Sequence, residues 1–517
     1  MSVLVASNVS HGFGGRQILE DASFRLNKGE HVGLVGANGE GKTTFLNIIT
    51  GNLMPDAGEI SWCNHITTGY LDQRTTLEAG KTIREVLRDA FGHYFDLEKE
   101  MLEAYDKMAT ADEDEMAKLM EDAAEIQDIL EHSGFYTIDA KIEEFANGLG
   151  LGDIGLDREV TELSGGQRSK VLLTKLLLEN PMILILDEPT NHLDENHIAW
   201  LTRFLQNYEN AFILVSHDIS FLNNVCNVIY HVEDSVLTRY TGNYDDFMRM
   251  YEIKKSQLEA AYKKQQKEIA DLEDFIARNK ARVATTNMAK SRQRKLDKMD
   301  IIELSKEKPK PEFSFEYSRA PGKYVIEAEN LVIGYDSPLT SPLTFHIERG
   351  QKLAIKGVNG LGKSTLLKTM LGIIPPFDGE IKLDYYAEPA YFEQEHDGSS
   401  NTALKEFWDE FPSLTNNEAR RALAKCGLTN EHIESQVRVL SGGENAKFRI
   451  AKLMQKPMNL LVFDEPTNHL DPVAKDVLKE AIRDFKGTVI LVCHEPDFYS
   501  DVVTDVWNIE DWTTKLI

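Results

Sequence analysis

Two stretches decide the fold: "LILDEPTNHLD" at residues 184–194 and "LVFDEPTNHLD" at 461–471. Each is an apolar run that ends in two acids, the pattern of a buried strand carrying carboxylates at its C-terminal end. Four further stretches recur in the same order. "GANGEGKT" (36–43) returns as "GVNGLGKS" (357–364), and "LSGGQ" (163–167) returns as "LSGGE" (440–444). "GYLDQ", ending at Gln73, returns as "AYFEQ", ending at Gln394; "LVSHD" (214–218) returns as "LVCHE" (491–495). Five motifs in one order, twice, mean two copies of one α/β domain.

The spacing locates an insertion. Gly36 and Gln73 lie 321 residues before Gly357 and Gln394, whereas Ser164, Asp187 and His217 lie 277 before Ser441, Asp464 and His494. The first copy therefore holds 44 extra residues between its Gln and its Ser-Gly-Gly motif. Ile83, Val86, Leu87, Tyr94, Leu97, Met101 and Tyr105 fall at helical spacing, as do Met116, Leu119, Met120, Ala123, Ile126 and Leu130. The pattern predicts a helical arm at about 80–134, with Thr110 and Glu113 as a capping box for its second helix. Residues 78–162 carry 24 acidic and 8 basic side chains, so this region supplies much of the chain's formal charge of −27.

Between the copies, residues 246–323 lack every one of these motifs. Tyr251, Leu258, Tyr262, Ile269, Leu272 and Ile276 form a heptad seam. "VATTN" (283–287) reads as a turn, and a second helix is expected to run to about Ser305, ahead of the prolines of "KPKP". Residues 278–298 hold eight basic side chains and one acid. Positive charge is thus concentrated at the tip of a helical hairpin, on a chain whose overall charge disfavours non-specific contact with nucleic acid. The expected division is 1–245, a hairpin linker at 246–323, and 324–517.

Composition excludes other classes. No apolar run approaches the ~20 residues that cross a bilayer, and the first residues lack a secretory signal. The four cysteines make no CxxC pair, which argues against a zinc site and fits a cytoplasmic location.

Each motif has a chemical task. A glycine-rich loop between strand and helix turns backbone N–H groups toward phosphates, and Lys42 or Lys363 reaches the outer phosphates. Thr43 and Asp187, or Ser364 and Asp464, suit Mg²⁺. Glu188 and Glu465 are placed to polarise water, while His217 and His494 suit the charge that builds on the transferred phosphoryl group. Phe13 and Tyr335 precede the loops and suit stacking on adenine. Taken singly, a histidine after a strand or an aromatic before a loop is as readily structural.

The combination resembles the ATP-binding-cassette superfamily, with "LSGGQ" and "LSGGE" its most diagnostic elements. That resemblance implies two P-loop cassettes in tandem, packed head to tail, each ATP held between one phosphate loop and the opposite Ser-Gly-Gly motif. Site one would comprise Gly36, Asn38, Gly39, Gly41, Lys42, Thr43, Thr44, Gln73, Asp187, Glu188 and His217, faced by Ser441, Gly442 and Gly443. Site two would comprise Gly357, Asn359, Gly360, Gly362, Lys363, Ser364, Thr365, Gln394, Asp464, Glu465 and His494, faced by Ser164, Gly165 and Gly166. The glutamines would join the metal and the attacking water. Cys493 in place of Ser216, and "HEPDF" in place of "HDISF", put equal turnover of the two sites in doubt.

Twin cassettes without a membrane segment, an arm in the first cassette and a charged helical linker resemble the ABC-F family of ribosome-associated ATPases. The tip "MAKSRQRKLDK" (288–298) is similar to that family's linker. The resemblance implies a monomer whose ATP-bound, closed form sits near the ribosomal tRNA exit site. The linker would reach the P-site tRNA and the peptidyl-transferase region of large-subunit rRNA through Arg282, Lys290, Arg292, Arg294 and Lys295, and the arm would lie toward the L1 stalk or neighbouring proteins. Three alternatives stay open, one of them a DNA-repair or chromosome ATPase, although the repair type that pairs two cassettes carries zinc-binding cysteine clusters absent from this sequence. Antibiotic-protection members of the family tend to have longer tips, and a soluble transporter ATPase would need a membrane partner.

Overall fold

The apolar runs that bracket each motif become the middle of two parallel sheets. In the first cassette the strand order is Thr68–Leu71, Ile183–Asp187, Ala211–Val215, His31–Val35 and Val228–Glu233, with Val236–Thr241 antiparallel at the edge. The second cassette repeats the order as Pro389–Phe392, Leu460–Asp464, Thr488–Val492, Lys352–Lys356 and Asp505–Asn508, all parallel. Parallel strands are covered on both faces, which is why "AFILV" and "TVILV" are buried throughout. A three-stranded antiparallel sheet flanks each, built on Ser2–Phe13 in one cassette and Tyr324–Val332 in the other. The structure is a computed structural model and describes residues 2–13, 16–71, 77–108, 112–191, 193–279, 286–300, 310–393, 398–468 and 470–514.

The 44-residue excess lies where a helical arm leaves the first cassette. Thr82 and Glu85 form a capping box for helix Ile83–Arg88. A 3₁₀ turn, Asp89–Phe91, breaks the expected single helix before Gly92–Met108 begins. The return helix is Glu113–Ser133, and its cap is Asp112, which accepts the Glu115 N–H at 2.9 Å. This corrects the expected Thr110–Glu113 box: Glu113 is already the first helical residue, and the adjacent carboxylate caps as well as a hydroxyl while also favouring the helix dipole. Thr110 lies outside the described residues. Met101 and Ala104 pack with Ala123 and Leu130 along the seam.

Helix Tyr244–Asn279 rises from the first cassette for 36 residues, roughly 54 Å at 1.5 Å per residue. Its partner, Thr286–Asp297, is shorter than expected. The chain leaves that helix through a tightened turn, Met299 N–H to Leu296 O at 3.1 Å, and the Gln265 amide donates to Asp300 O at 2.7 Å. Consequently the seam closes only distally: Leu272 and Ile276 are buried, while Leu258 is 44% exposed. Of "VATTN", Thr286 and Asn287 are helical, and the rest lies outside the described residues.

Residues 311–318, counted with the linker by pattern, pack on the second cassette. Phe313 is buried, the Phe315 ring lies 5.9 Å from Phe463, and Ser318 N–H donates to Met458 O at 2.9 Å. The cue is a period of two in "PEFSFEYS", which places Phe313, Phe315 and Tyr317 on one face.

Candidate active sites

Each phosphate loop sits between a central strand and a helix that begins at its lysine. Gly41 and Gly362 precede those helices with φ of 99° and 98°, a left-handed conformation that glycine adopts without strain. The lysines fold back over their own loops. Lys42 Nζ donates to Gly36 O at 2.8 Å and Ala37 O at 3.1 Å. Lys363 Nζ donates to Gly357 O at 2.7 Å, Val358 O at 3.1 Å and Asn359 Oδ1 at 3.0 Å. Burial lowers the pKa of both, that of Lys363 to about 8. Such desolvated ammonium groups favour an anionic ligand.

At the strand ends, Thr43 Oγ1 donates to Asp187 Oδ2 at 3.1 Å, and Ser364 hydrogen-bonds Asp464. Glu188 and Glu465 follow with φ of 51° and 50°. Non-glycine residues held this way cost about 1–3 kcal/mol each and concentrate at functional sites. Each is fixed by its own N–H, donated to Val215 O at 2.9 Å and Val492 O at 3.0 Å. His217 N–H donates to Glu188 Oε2 at 3.3 Å, with its Nε2 3.6 Å from Oε1. His494 Nε2 lies 3.4 Å from Glu465 Oε1, and Asn468 donates to Glu465 Oε2 at 2.8 Å.

The two acid pairs divide their charge in opposite ways. At site one, burial and the adjacent Asp187 charge push Glu188 up to about 8. At site two, burial and the Glu465 charge push Asp464 up to about 6. Burial acts the same way on Glu465, but His494, Lys363 and Asn468 outweigh it and bring that carboxyl down to about 2. Two adjacent buried carboxylates do not both ionise without a cation nearby. Asp464 Oδ1 and Glu188 Oε1 are buried without a hydrogen-bond partner. Hydroxyl and carboxylate oxygens of this kind are the donor set that Mg²⁺ takes, so the residues fit a metal–triphosphate ligand.

The cassettes face each other head to tail. A side chain added at Gly39 would come within 3.5 Å of Glu444 Oε1, in the "LSGGE" motif of the other cassette. Ser164 and Ser441 cap the helices Gly165–Glu179 and Gly442–Met454 through capping boxes with Gln167 and Glu444. A cavity of about 830 Å³ between the cassettes is lined by Glu188 and His217 from one side and by Glu465 and His494 from the other. Phe13 and Tyr335 are 53% and 63% exposed. Gln73, Gln394 and Arg282 lie outside the described residues.

Several residues near the sites were not singled out in the sequence. Asp471, paired with Lys447 at 2.7 Å, acts on the charge of Lys42 in the other cassette, and Asp194 acts on that of Lys363. Both close the "TNHLD" motif, so its repetition carried the signal. Tyr391 donates to Asp464 Oδ2 at 3.3 Å; it stands three residues before Gln394, as Tyr70 stands before Gln73. Glu444 occupies the position of Gln167 and meets His432 Nε2 at 3.1 Å, a contact no local pattern announces.

Comparison with known proteins agrees with this geometry. The ABC transporter family model matches residues 19–191 and 340–468, and a companion ABC transporter extension model matches 230–315. The chain is 61% identical to the ABC transporter ATP-binding protein YfmM of Bacillus subtilis, with all of both chains covered. It is 36% identical to ABC transporter F family member 2 of Arabidopsis thaliana, over 98% of this chain and 76% of that one. Among solved structures, RNase-L Inhibitor shares the fold at a TM-score of 0.58 and 20% identity, covering 97% of this chain and 87% of that one. An archaeal ribosome recycling factor, aABCE1, matches at a TM-score of 0.57 over the same shares. No helix among the described residues is long and apolar enough to cross a membrane. The chain belongs to the ABC-F family and is an ATPase built from tandem ATP-binding cassettes.

Proposed function

We propose that this ATPase is a cytoplasmic translation factor. In its ATP-bound, closed form it binds the ribosome near the tRNA exit site and acts through its linker on the P-site tRNA and the peptidyl-transferase region. The observation that carries the reading is the linker's charge. Lys290, Arg294 and Lys298 are exposed and make no ion pair among the described residues, on a chain of net charge −27. A few cations on a narrow projection fit a phosphate backbone reached at depth. The acidic arm suits a protein neighbour, such as the L1 stalk, better than bare RNA. Solved structures of the same fold include one described as ribosome-bound archaeal Pelota and ABCE1, which is in keeping with this reading.

In the mechanism, Lys42 and Lys363 hold the outer phosphates against loop N–H groups, and Thr43–Asp187 and Ser364–Asp464 would hold Mg²⁺. Bound there, the metal neutralises phosphate charge. Glu188 and Glu465 orient the attacking water and accept its proton. His217 and His494 fix those carboxylates and donate toward the phosphoryl oxygens. Gln73 and Gln394, outside the described residues, would by resemblance join the metal and the attacking water. Ser441, Gly442 and Gly443 close site one, and Ser164, Gly165 and Gly166 close site two, so hydrolysis releases the cassette pair.

The test is charge reversal of the tip, Lys290→Glu with Arg294→Glu and Lys298→Glu. ATPase activity without ribosomes should stay unchanged while ribosome stimulation falls. The salt dependence of ribosome binding should flatten by roughly 0.7–0.9 log units per log unit of salt for each phosphate no longer neutralised. Unchanged stimulation with an unchanged slope contradicts the reading.

A further inference from the structure

The two aromatic platforms, Phe13 and Tyr335, are supported by different chemistry. In the first cassette Asp56 lies in the turn after the phosphate-loop helix. Its Oδ2 accepts the Gly12 N–H at 2.8 Å and lies 3.4 Å from His11 Nδ1. His11 is buried, with 6% of the residue exposed. It meets Phe13 edge to face, with ring centroids 4.7 Å apart and planes at 85°. Neither ring nitrogen of His11 has a hydrogen-bond partner. Asp56 therefore holds the residue immediately before the platform by its backbone and borders the buried ring of the residue before that.

The second cassette has neither polar group. Asn8 and Asn330 share a positive φ of 51° and 48°, and Gly58 and Gly379 pack against those two residues, which fixes the correspondence. His11 then matches Ile333, which is fully buried, and Asp56 matches Phe377, which is 46% exposed. The backbone contact is retained: Asp56 N–H donates to Ser10 O at 2.9 Å, and Phe377 N–H donates to Val332 O at 2.8 Å. At two neighbouring positions, a polar pair in one copy is replaced by an apolar pair in the other, on an unchanged backbone.

We propose that His11 and Asp56 are positioning residues for the nucleotide base at site one alone, holding Phe13 where an adenine ring stacks, a task left at site two to the buried Ile333 and the half-exposed Phe377. Loosening the polar pair weakens base binding at one site and leaves both sets of phosphate ligands untouched. This rests on the reading of Phe13 and Tyr335 as base platforms.

The experiment is photolabelling of the whole protein with 8-azido-ATP, whose reactive group is on the base, followed by separate quantitation of the peptides that contain Phe13 and Tyr335. Asp56→Ala should lower labelling at the first peptide about three- to tenfold, the span of one aromatic stacking interaction, and leave the second unchanged. His11→Ile with Asp56→Phe, which copies the second cassette, should restore the first. Phe13→Ala is run alongside. If it lowers labelling and Asp56→Ala does not, the pair has no positioning role. If Asp56→Ala lowers both peptides, or the copied pair fails to rescue a protein of normal melting temperature, the role is structural and the proposal is overturned. If Phe13→Ala itself changes nothing, the platform reading fails, and this inference with it.

Discussion

At the scale of single residues, the sites are defined by charge held in place. Glu188 and Glu465 sit on strained backbone, between a central strand and a histidine, and each is one carboxylate of a buried pair. Glu188→Gln with Glu465→Gln keeps shape and leaves Lys42, Lys363, Thr43 and Ser364 in place. The expected outcome is ATP binding at wild-type strength with turnover reduced about 10²–10⁴-fold, the usual contribution of a positioned base. Phosphate release and nucleotide retention on the same sample check it. The linker cations divide by partner. Arg292 stacks on Phe275 at 3.7 Å, and Lys295 pairs with Glu268 at 2.6 Å, whereas Lys290, Arg294 and Lys298 face solvent. Arg292→Ala with Lys295→Ala should therefore loosen the helix pair, seen as faster amide exchange in 286–297. Reversal of the three solvent-facing cations should leave exchange unchanged. Such a division is invisible in sequence, where the basic residues look equivalent.

Elements show which readings survive folding. The motifs were legible because each joins a periodic apolar strand to residues that only a turn or cap requires. The arm was legible from a difference in spacing, and its seam from Met101, Ala123 and Leu130. Its kink at Asp89–Phe91 was not, because a 3₁₀ turn disturbs helical spacing by a fraction of a residue. The linker's second helix was overestimated because no proline or glycine stands within residues 286–300; the chain leaves the helix after Asp297, where the Gln265 amide of the facing helix donates to Asp300 O. Phe313, Phe315 and Tyr317 were assigned to the linker since three alternating aromatics make a weak strand signal beside two prolines. Replacing Gly92–Ser133 by a short flexible link removes the arm and spares Phe91, which is buried in the cassette core. ATPase activity without ribosomes should persist, and complementation of a deletion strain should fail. Loss of ATP binding in a folded protein would give the arm a supporting role in the cassette instead.

For the whole molecule, the internal repeat fixed the architecture, and the facing of the cassettes fixed the sites. Gly39 against Glu444, Asp471 near Lys42 and Asp194 near Lys363 tie each phosphate loop to the opposite cassette. On the proposed reading, a ligand that bridges both halves favours the closed form by its differential affinity. The sequence could pair the motifs across the interface only by resemblance; the contacts themselves depend on docking. The most direct measurement is cosedimentation of the Glu188→Gln, Glu465→Gln protein with ribosomes in ATP, in ADP and without nucleotide. ATP should bring nearly all of it into the ribosome pellet, with little there in ADP or without nucleotide. Equal sedimentation in all three conditions, or none in ATP, would contradict an ATP-gated ribosome factor.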